Sequence, residues 1–282
     1  VSQTGQEITA AVVSNMTRGR SCSCLMAERA ETDVFPIDIG IACEVEHQGE
    51  LHPLIKRKIR RGTSNFTKEA AMTRQEVLTA VLTGIDAVRV LKEQEYRLFA
   101  VGEMGIGNTT TSSAVASVLL QKEPELVTGC GAGLDSAGLK RKTEAIRRGI
   151  KLHHPDPMDG MEVLQKVGGF DLAAMAGAFL GGAIYHVPVV IDGVIAAAAA
   201  AAAGRIAAEA TDYMLAAHVS AEPASIWLLD LIGVTPAIQA GLRLGEGTGA
   251  LALFPLLDMA LSIYRDMDTF AEMEIEEYKP LV

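Results

Sequence analysis

The chain is poor in aromatic residues, with seven Phe, five Tyr and one Trp among 282 residues. Aromatic platforms for stacking nucleic-acid bases are therefore not expected. It is also short of positive charge: 25 Lys and Arg face 35 Asp and Glu, a net charge of −10. A net acidic chain is a poor non-specific binder of nucleic acid or anionic membranes. Cysteine is scarce, with only Cys22, Cys24, Cys43 and Cys130. That number cannot staple a chain of this size, and Cys22-x-Cys24 is too tight for the usual zinc spacing. Free thiols in a reducing cytoplasm are the expectation. Histidines 47, 52, 153, 154, 186 and 218 show no metal-ligand spacing. No basic start followed by a long apolar run marks a signal peptide. The chain opens on Val1 rather than Met, and the start is read as internal.

One stretch needs a membrane check. Residues 172–191 carry no formal charge, about the length of a membrane span. They are rich in Ala and Gly, which insert weakly, and they hold His186 and Pro188. A buried helix followed by a buried strand is the better reading.

Apolar composition of 49% supports a substantial core without disorder. Short β-rich runs at 34–41, 97–102, 187–191 and 225–232, with a shorter one at 125–127, predict strands. Helical patterns fall at 8–16, 74–91, 110–120, 139–151, 172–183, 194–214 and 236–242. Strands apolar on both faces, separated by helices, predict an α/β fold. The expected architecture is a parallel Rossmann-like sheet with helices on both faces. The run Ala196–Ala203 is a strong helix former whose small side chains imply close packing. No linker rich in Pro, Gly or Ser divides the chain. The division expected is a large α/β nucleotide-binding domain at 27–250 and a small helical domain from 1–26 and 251–282. The acidic tail 272–277 reads as a solvated helix end.

Glycine is where chemistry concentrates. Gly102-Glu103-Met104-Gly105-Ile106-Gly107-Asn108-Thr109-Thr110 follows a predicted strand and opens a predicted helix. Glycines admit a ligand to the backbone, and the helix N-terminus attracts an anion. A phosphate loop and a tight turn with Thr caps both fit. The loop lacks the Gly-Lys-Ser/Thr of a Walker motif, and Thr110 stands where a dinucleotide fingerprint needs its third glycine. A second loop, Thr128-Gly129-Cys130-Gly131-Ala132-Gly133, precedes a helix carrying Lys140, Arg141 and Lys142. Two such loops favour a phosphorylated small molecule, although a solvated face is the default for any one lysine. In Arg243-Leu244-Gly245-Glu246-Gly247-Thr248-Gly249 one carboxylate is framed by glycines. It suits a general base, or a turn glutamate. Asp192, ending an apolar strand, suits either a site position or a helix cap. His218, Ser220 and Glu222 lie close in sequence without the elbow of a nucleophilic serine. The basic cluster 56–61 reads as a solvated face.

Together these motifs resemble a known family. The loop at 102–110, Gly131-Ala132-Gly133-Leu134-Asp135, Asp192-Gly193, Ser220-Ala221-Glu222-Pro223 and the segment 243–250 occur in that order. Asn15-Met16-Thr17-Arg18-Gly19 and Arg60-Arg61-Gly62-Thr63-Ser64-Asn65-Phe66 fit the same pattern. The chain, over essentially its whole length, resembles the nicotinate-nucleotide:dimethylbenzimidazole phosphoribosyltransferases.

The resemblance implies transfer of the phosphoribosyl group of nicotinate mononucleotide to 5,6-dimethylbenzimidazole or a related base. The products are nicotinate and an α-nucleotide 5′-phosphate, with inversion at the anomeric carbon and no metal or cofactor. It implies Glu246 as general base. Glu103 and Met104 match the acceptor pocket. Gly105, Gly107, Asn108 and Thr109 match the donor loop, and Gly131 and Gly133 a second backbone cradle. Lys142 matches a phosphate-site lysine, Asp192 and Ser220 the donor side, and Leu244 another substrate contact. Small-molecule partners, a cytoplasmic homodimer, and neither nucleic acid nor membrane are implied. Members carry a further N-terminal segment before a Val-Ser pair like Val1-Ser2, so part of the helical domain and one wall of the base pocket are expected to precede this chain. A non-catalytic nucleotide-binding paralogue of the same fold is the alternative, against which Glu246 is retained. A Rossmann-type oxidoreductase is disfavoured by Thr110.

Overall fold

The computed structural model describes residues 2, 4–131, 133–276 and 279. Val1, Ala132 and Glu277, which enter the sequence reading, lie outside them. Two short helices open the chain, α1 (Glu7–Thr17) and α2 (Cys22–Arg29). Ser21 starts α2 by accepting from the Cys24 amide, the expected work of a serine cap. A two-residue parallel pair follows, β1 (Ile37–Asp38) with β2 (Ile55–Lys56). The strand expected over 34–41 therefore shrinks to two residues and stays outside the main sheet.

That sheet has three parallel strands, β3 (Phe99–Ala100), β4 (Val189–Ile191) and β5 (Met214–Ala216), with β4 in the middle. Val189 and Ile191 join the core formed with α4 (Asn108–Leu120), α8 (Phe170–Tyr185) and α9 (Val194–Ile206). Val190 turns to the opposite face and packs with Ala250, Leu253 and Phe254 of α11 (Thr248–Asp266). This alternation puts helices on both faces of a strand that is buried throughout.

Small residues set the helix spacing. In α9 each of Ala196–Ala203 is essentially buried. Helix α3 (Arg74–Glu93), begun by a capping box of Thr73 and Glu76, crosses α8 at two glycines. A Cβ on Gly84 would sit 1.9 Å from the Ala174 carbonyl, and one on Gly177 2.0 Å from that of Val81. The uncharged stretch 172–191 is thus a buried helix and a buried strand. Among the described residues no helix is long and apolar enough to cross a membrane.

Four further expectations are corrected. Residues 225–232 form helix α10 (Ser225–Leu231), with Leu228 and Leu229 buried and Ile226 and Leu231 exposed. An eight-residue apolar run does not by itself separate helix from strand. Residues 236–242 are irregular rather than helical: Ala237 and Ile238 donate to the Ala216 and Ala217 carbonyls at the end of β5, and Gly241 is left-handed at φ 63°. Residues 125–127 belong to one helical turn, α5 (Pro124–Val127), opened by its proline. The helix expected over 194–214 stops at Ile206, and a 3-10 segment, Ala208–Tyr213, leads into β5. The remaining helices are α6 (Ser136–His153) and α7 (Gly160–Val167).

Candidate active site

The three main strands end side by side, and a polar residue follows each: Glu103 after β3, Asp192 after β4 and His218 after β5. The loop before α11 closes over that edge. Gly245, Glu246 and Gly247 have φ of 84°, 59° and 79°, three successive left-handed residues. Glycine adopts that conformation freely, but for a glutamate it costs about 1–2 kcal/mol. Neighbours hold the turn. Gly102 lies so close that a Cβ on it would meet the Gly247 nitrogen at 2.5 Å and the Glu246 carbonyl carbon at 2.6 Å. The Glu246 amide donates to the Glu103 carbonyl at 3.2 Å. Both Asp192 oxygens accept from the start of α11, from Gly247 at 3.2 Å and Ala250 at 3.0 Å.

Glu246 lines a cleft of about 1320 Å³ together with Glu103, Met104, Gly105, Gly107 and Asn108. The Ser23 amide and hydroxyl donate to Glu246 Oε2 at 3.4 and 3.3 Å. Thr9 of α1 accepts from the Ile106 amide, so both N-terminal helices touch the cleft. Asn108 Nδ2 donates to Glu103 and, at 2.9 Å, to Asp171 Oδ2. Burial pushes the Glu103 carboxyl up to about 8, against the pull of the Asn108 hydrogen bond, and the Asp171, Asp192 and Glu246 carboxylates push it further. Burial also raises Asp171, against its hydrogen bonds from Asn108 and the backbone.

Glu103 therefore carries more protons folded than unfolded at intermediate pH. Its contribution to stability is largest below its ordinary value of 4.5 and is lost as pH rises toward about 8. Denaturation midpoints are expected to fall across that window and to fall less in Glu103→Gln. The same slope in both proteins would contradict the assignment.

The second glycine loop lies beside the first. Lys142 is fully buried, and its Nζ donates to Thr109 Oγ1 at 3.1 Å and the Gly129 carbonyl at 3.0 Å. Burial lowers its pKa, with Glu222 and Cys130 opposing. Gly131 and Gly133 are left-handed, at φ of 54° and 89°. A Cβ on Gly131 would meet Thr109 Oγ1 at 2.7 Å. Glu222 accepts from the Gly131 amide at 3.2 Å, and its own amide donates to Ser220 Oγ at 3.4 Å.

The fold thus gathers Glu103, Met104, Gly105, Gly107, Asn108 and Glu246 at the cleft. Thr109, Gly131, Lys142 and Ser220 form an adjoining group. Asp192 stands behind the Glu246 turn, its oxygens taken by amides. Leu244 is 61% exposed and lies off the cleft wall. Sequence reasoning missed Asp171 and Ser23. The available signal for Asp171 was a lone carboxylate opening the uncharged stretch 172–191; nothing near Ser23 pointed to Glu246.

A family model described as phosphoribosyltransferase matches residues 1–275. The chain is 44% identical over 281 residues to the nicotinate-nucleotide–dimethylbenzimidazole phosphoribosyltransferase of Clostridium acetobutylicum, covering all of this chain and 79% of the relative. The enzyme of the same name from Ruminiclostridium cellulolyticum is 43% identical with the same coverage. Among solved structures, CobT from Thermus thermophilus superposes with a TM-score of 0.92 at 38% identity, over 99% of this chain and 82% of that one.

Proposed function

Since the chain belongs to the nicotinate-nucleotide–dimethylbenzimidazole phosphoribosyltransferase family, we propose that it transfers phosphoribosyl from nicotinate mononucleotide to 5,6-dimethylbenzimidazole or a related base. The observation that carries this reading is the Glu246 turn, set against the Glu103 loop at the mouth of the cleft, with the Lys142 group beside it.

In the proposed step an acceptor ring nitrogen bonds to C1′ of the ribose. The bond from C1′ to nicotinate breaks, and its electron pair neutralises the pyridinium nitrogen. The proton on the acceptor N–H passes to Glu246. The Glu246 carboxylate suits a ribosyl group that becomes cationic in the transition state. The phosphate is assigned to the side of Gly131, Gly133, Thr109 and Lys142, where the Lys142 ammonium and the Thr109 hydroxyl supply donors. Glu103, Met104 and Asn108 contact the substrates at the junction. Purified protein given nicotinate mononucleotide is expected to release nicotinate, followed by chromatography, only when 5,6-dimethylbenzimidazole is present. Release at the same rate without the base would contradict transfer.

A homodimer forms part of this reading. Helix α11 and the segment after it expose Met259, Ile263, Tyr264, Met267 and Phe270, and an apolar row of that kind calls for cover. Light scattering should give about twice the chain mass of 29.8 kDa; the mass of one chain would remove the dimer. Helix α2 lies against α11, as the proposed helical unit from 1–26 and 251–282 requires, while Leu253 and Phe254 of α11 anchor it on Val190 of the main sheet. The free thiols suit the cytoplasm.

A further inference from the structure

His218 follows β5 by two residues, and its backbone is pinned by a parallel bridge to Ile238. The side chain is 4% exposed. Nε2 lies 3.6 Å from Asp192 Oδ1. Nδ1 is buried without a hydrogen-bond partner among the described residues. The ring is also wedged against α11: a Cβ on Gly249 would lie 2.0 Å from its Cδ2 and 2.2 Å from its Nε2. One imidazole therefore touches the carboxylate that caps α11 and the first turn of α11 itself.

The Asp192 carboxylate is buried and accepts from the Gly247 and Ala250 amides. A buried carboxylate needs a compensating charge or donor. Burial works against a charged His218 ring, but the Asp192 carboxylate beside it outweighs that and raises its pKa. The Asp192 and His218 pair thus sits directly behind the turn that carries Glu246.

We propose that His218 is a positioning residue: acting through Asp192, it holds the left-handed turn 245–247 so that the Glu246 carboxylate faces the cleft. This rests on the reading of Glu246 as the base. His218 itself does not line the cleft.

The test compares His218→Ala and His218→Gln with the wild-type chain. The Gln side chain keeps an N–H able to reach Asp192. In His218→Ala, kcat for base-dependent nicotinate release should fall roughly 10- to 100-fold, the cost of a misplaced group, with the KM for nicotinate mononucleotide unchanged. His218→Gln should recover most of that loss. Amide hydrogen exchange should quicken in 245–251 in the Ala variant and not in the Gln variant. If His218→Ala does not fold, His218→Asn, whose shorter amide falls short of Asp192, should quicken the same segment and decides the matter. Unchanged exchange in 245–251, or quickening spread over the whole sheet with kcat and KM lost together, would overturn the proposal. A wild-type chain that released no nicotinate would sink the transferase reading, while the exchange data would still decide what His218 holds.

Discussion

Glu246→Gln is expected to leave donor binding intact and to slow transfer by about 10²–10⁴-fold, the usual weight of a general base. The substitution keeps shape. The left-handed turn is set by Gly245, Gly247, the Asp192 cap and the close approach of Gly102, none of which involves the carboxylate. The Gln carbonyl can still accept from Ser23, whose amide and hydroxyl now donate to Glu246 Oε2. What disappears is a site for the acceptor's proton. Glu103 is a poor substitute, because its carboxyl holds a proton up to about pH 8. Two carboxyls in one cleft thus have different environments, which divides their roles. Below pH 7, Glu103→Gln imitates the form already present and should cost far less than Glu246→Gln. Wild-type turnover in Glu246→Gln, or a reversed order of the two losses, would refute this division.

Lys142→Met is expected to raise the KM for nicotinate mononucleotide roughly 10- to 100-fold, as loss of a charge-assisted hydrogen bond worth about 1.5–3 kcal/mol requires. kcat should change little. Methionine preserves the buried stem, so lost charge is separated from lost packing. The ammonium already holds Thr109 and the Gly129 carbonyl, tying the two glycine loops together. In the proposed role its third N–H serves the donor phosphate, and burial depresses its pKa. An unchanged KM with lower thermal stability would make Lys142 a brace between loops and nothing more.

How far the sequence carried depends on where each signal lay. Local signals carried well. The uncharged stretch 172–191 is broken by Pro188 and resolves into α8 and β4. The alanine run packs as its small side chains require. The glycine loops announce themselves by composition after a strand. Signals that lie in tertiary contacts did not carry. The apolar run 225–232 has strand composition but buries one helical face, and the helix expected over 236–242 is forestalled by the pairing of Ala237 and Ile238 with Ala216 and Ala217. Asp171 acquires meaning only through Asn108, 63 residues away, and Ser23 only through Glu246, 223 residues away. A glutamate at φ 59° cannot be read from two flanking glycines alone, because the conformation depends on Gly102 and Asp192.

The central claim is a single displacement at C1′, with Glu246 taking the acceptor's proton. The anomeric configuration of the product tests it most directly. Proton NMR of the nucleotide formed from nicotinate mononucleotide, a β-glycoside, and 5,6-dimethylbenzimidazole should show only the α anomer. A β product would mean retention, hence two displacements and a covalent ribosyl intermediate, and would contradict the account.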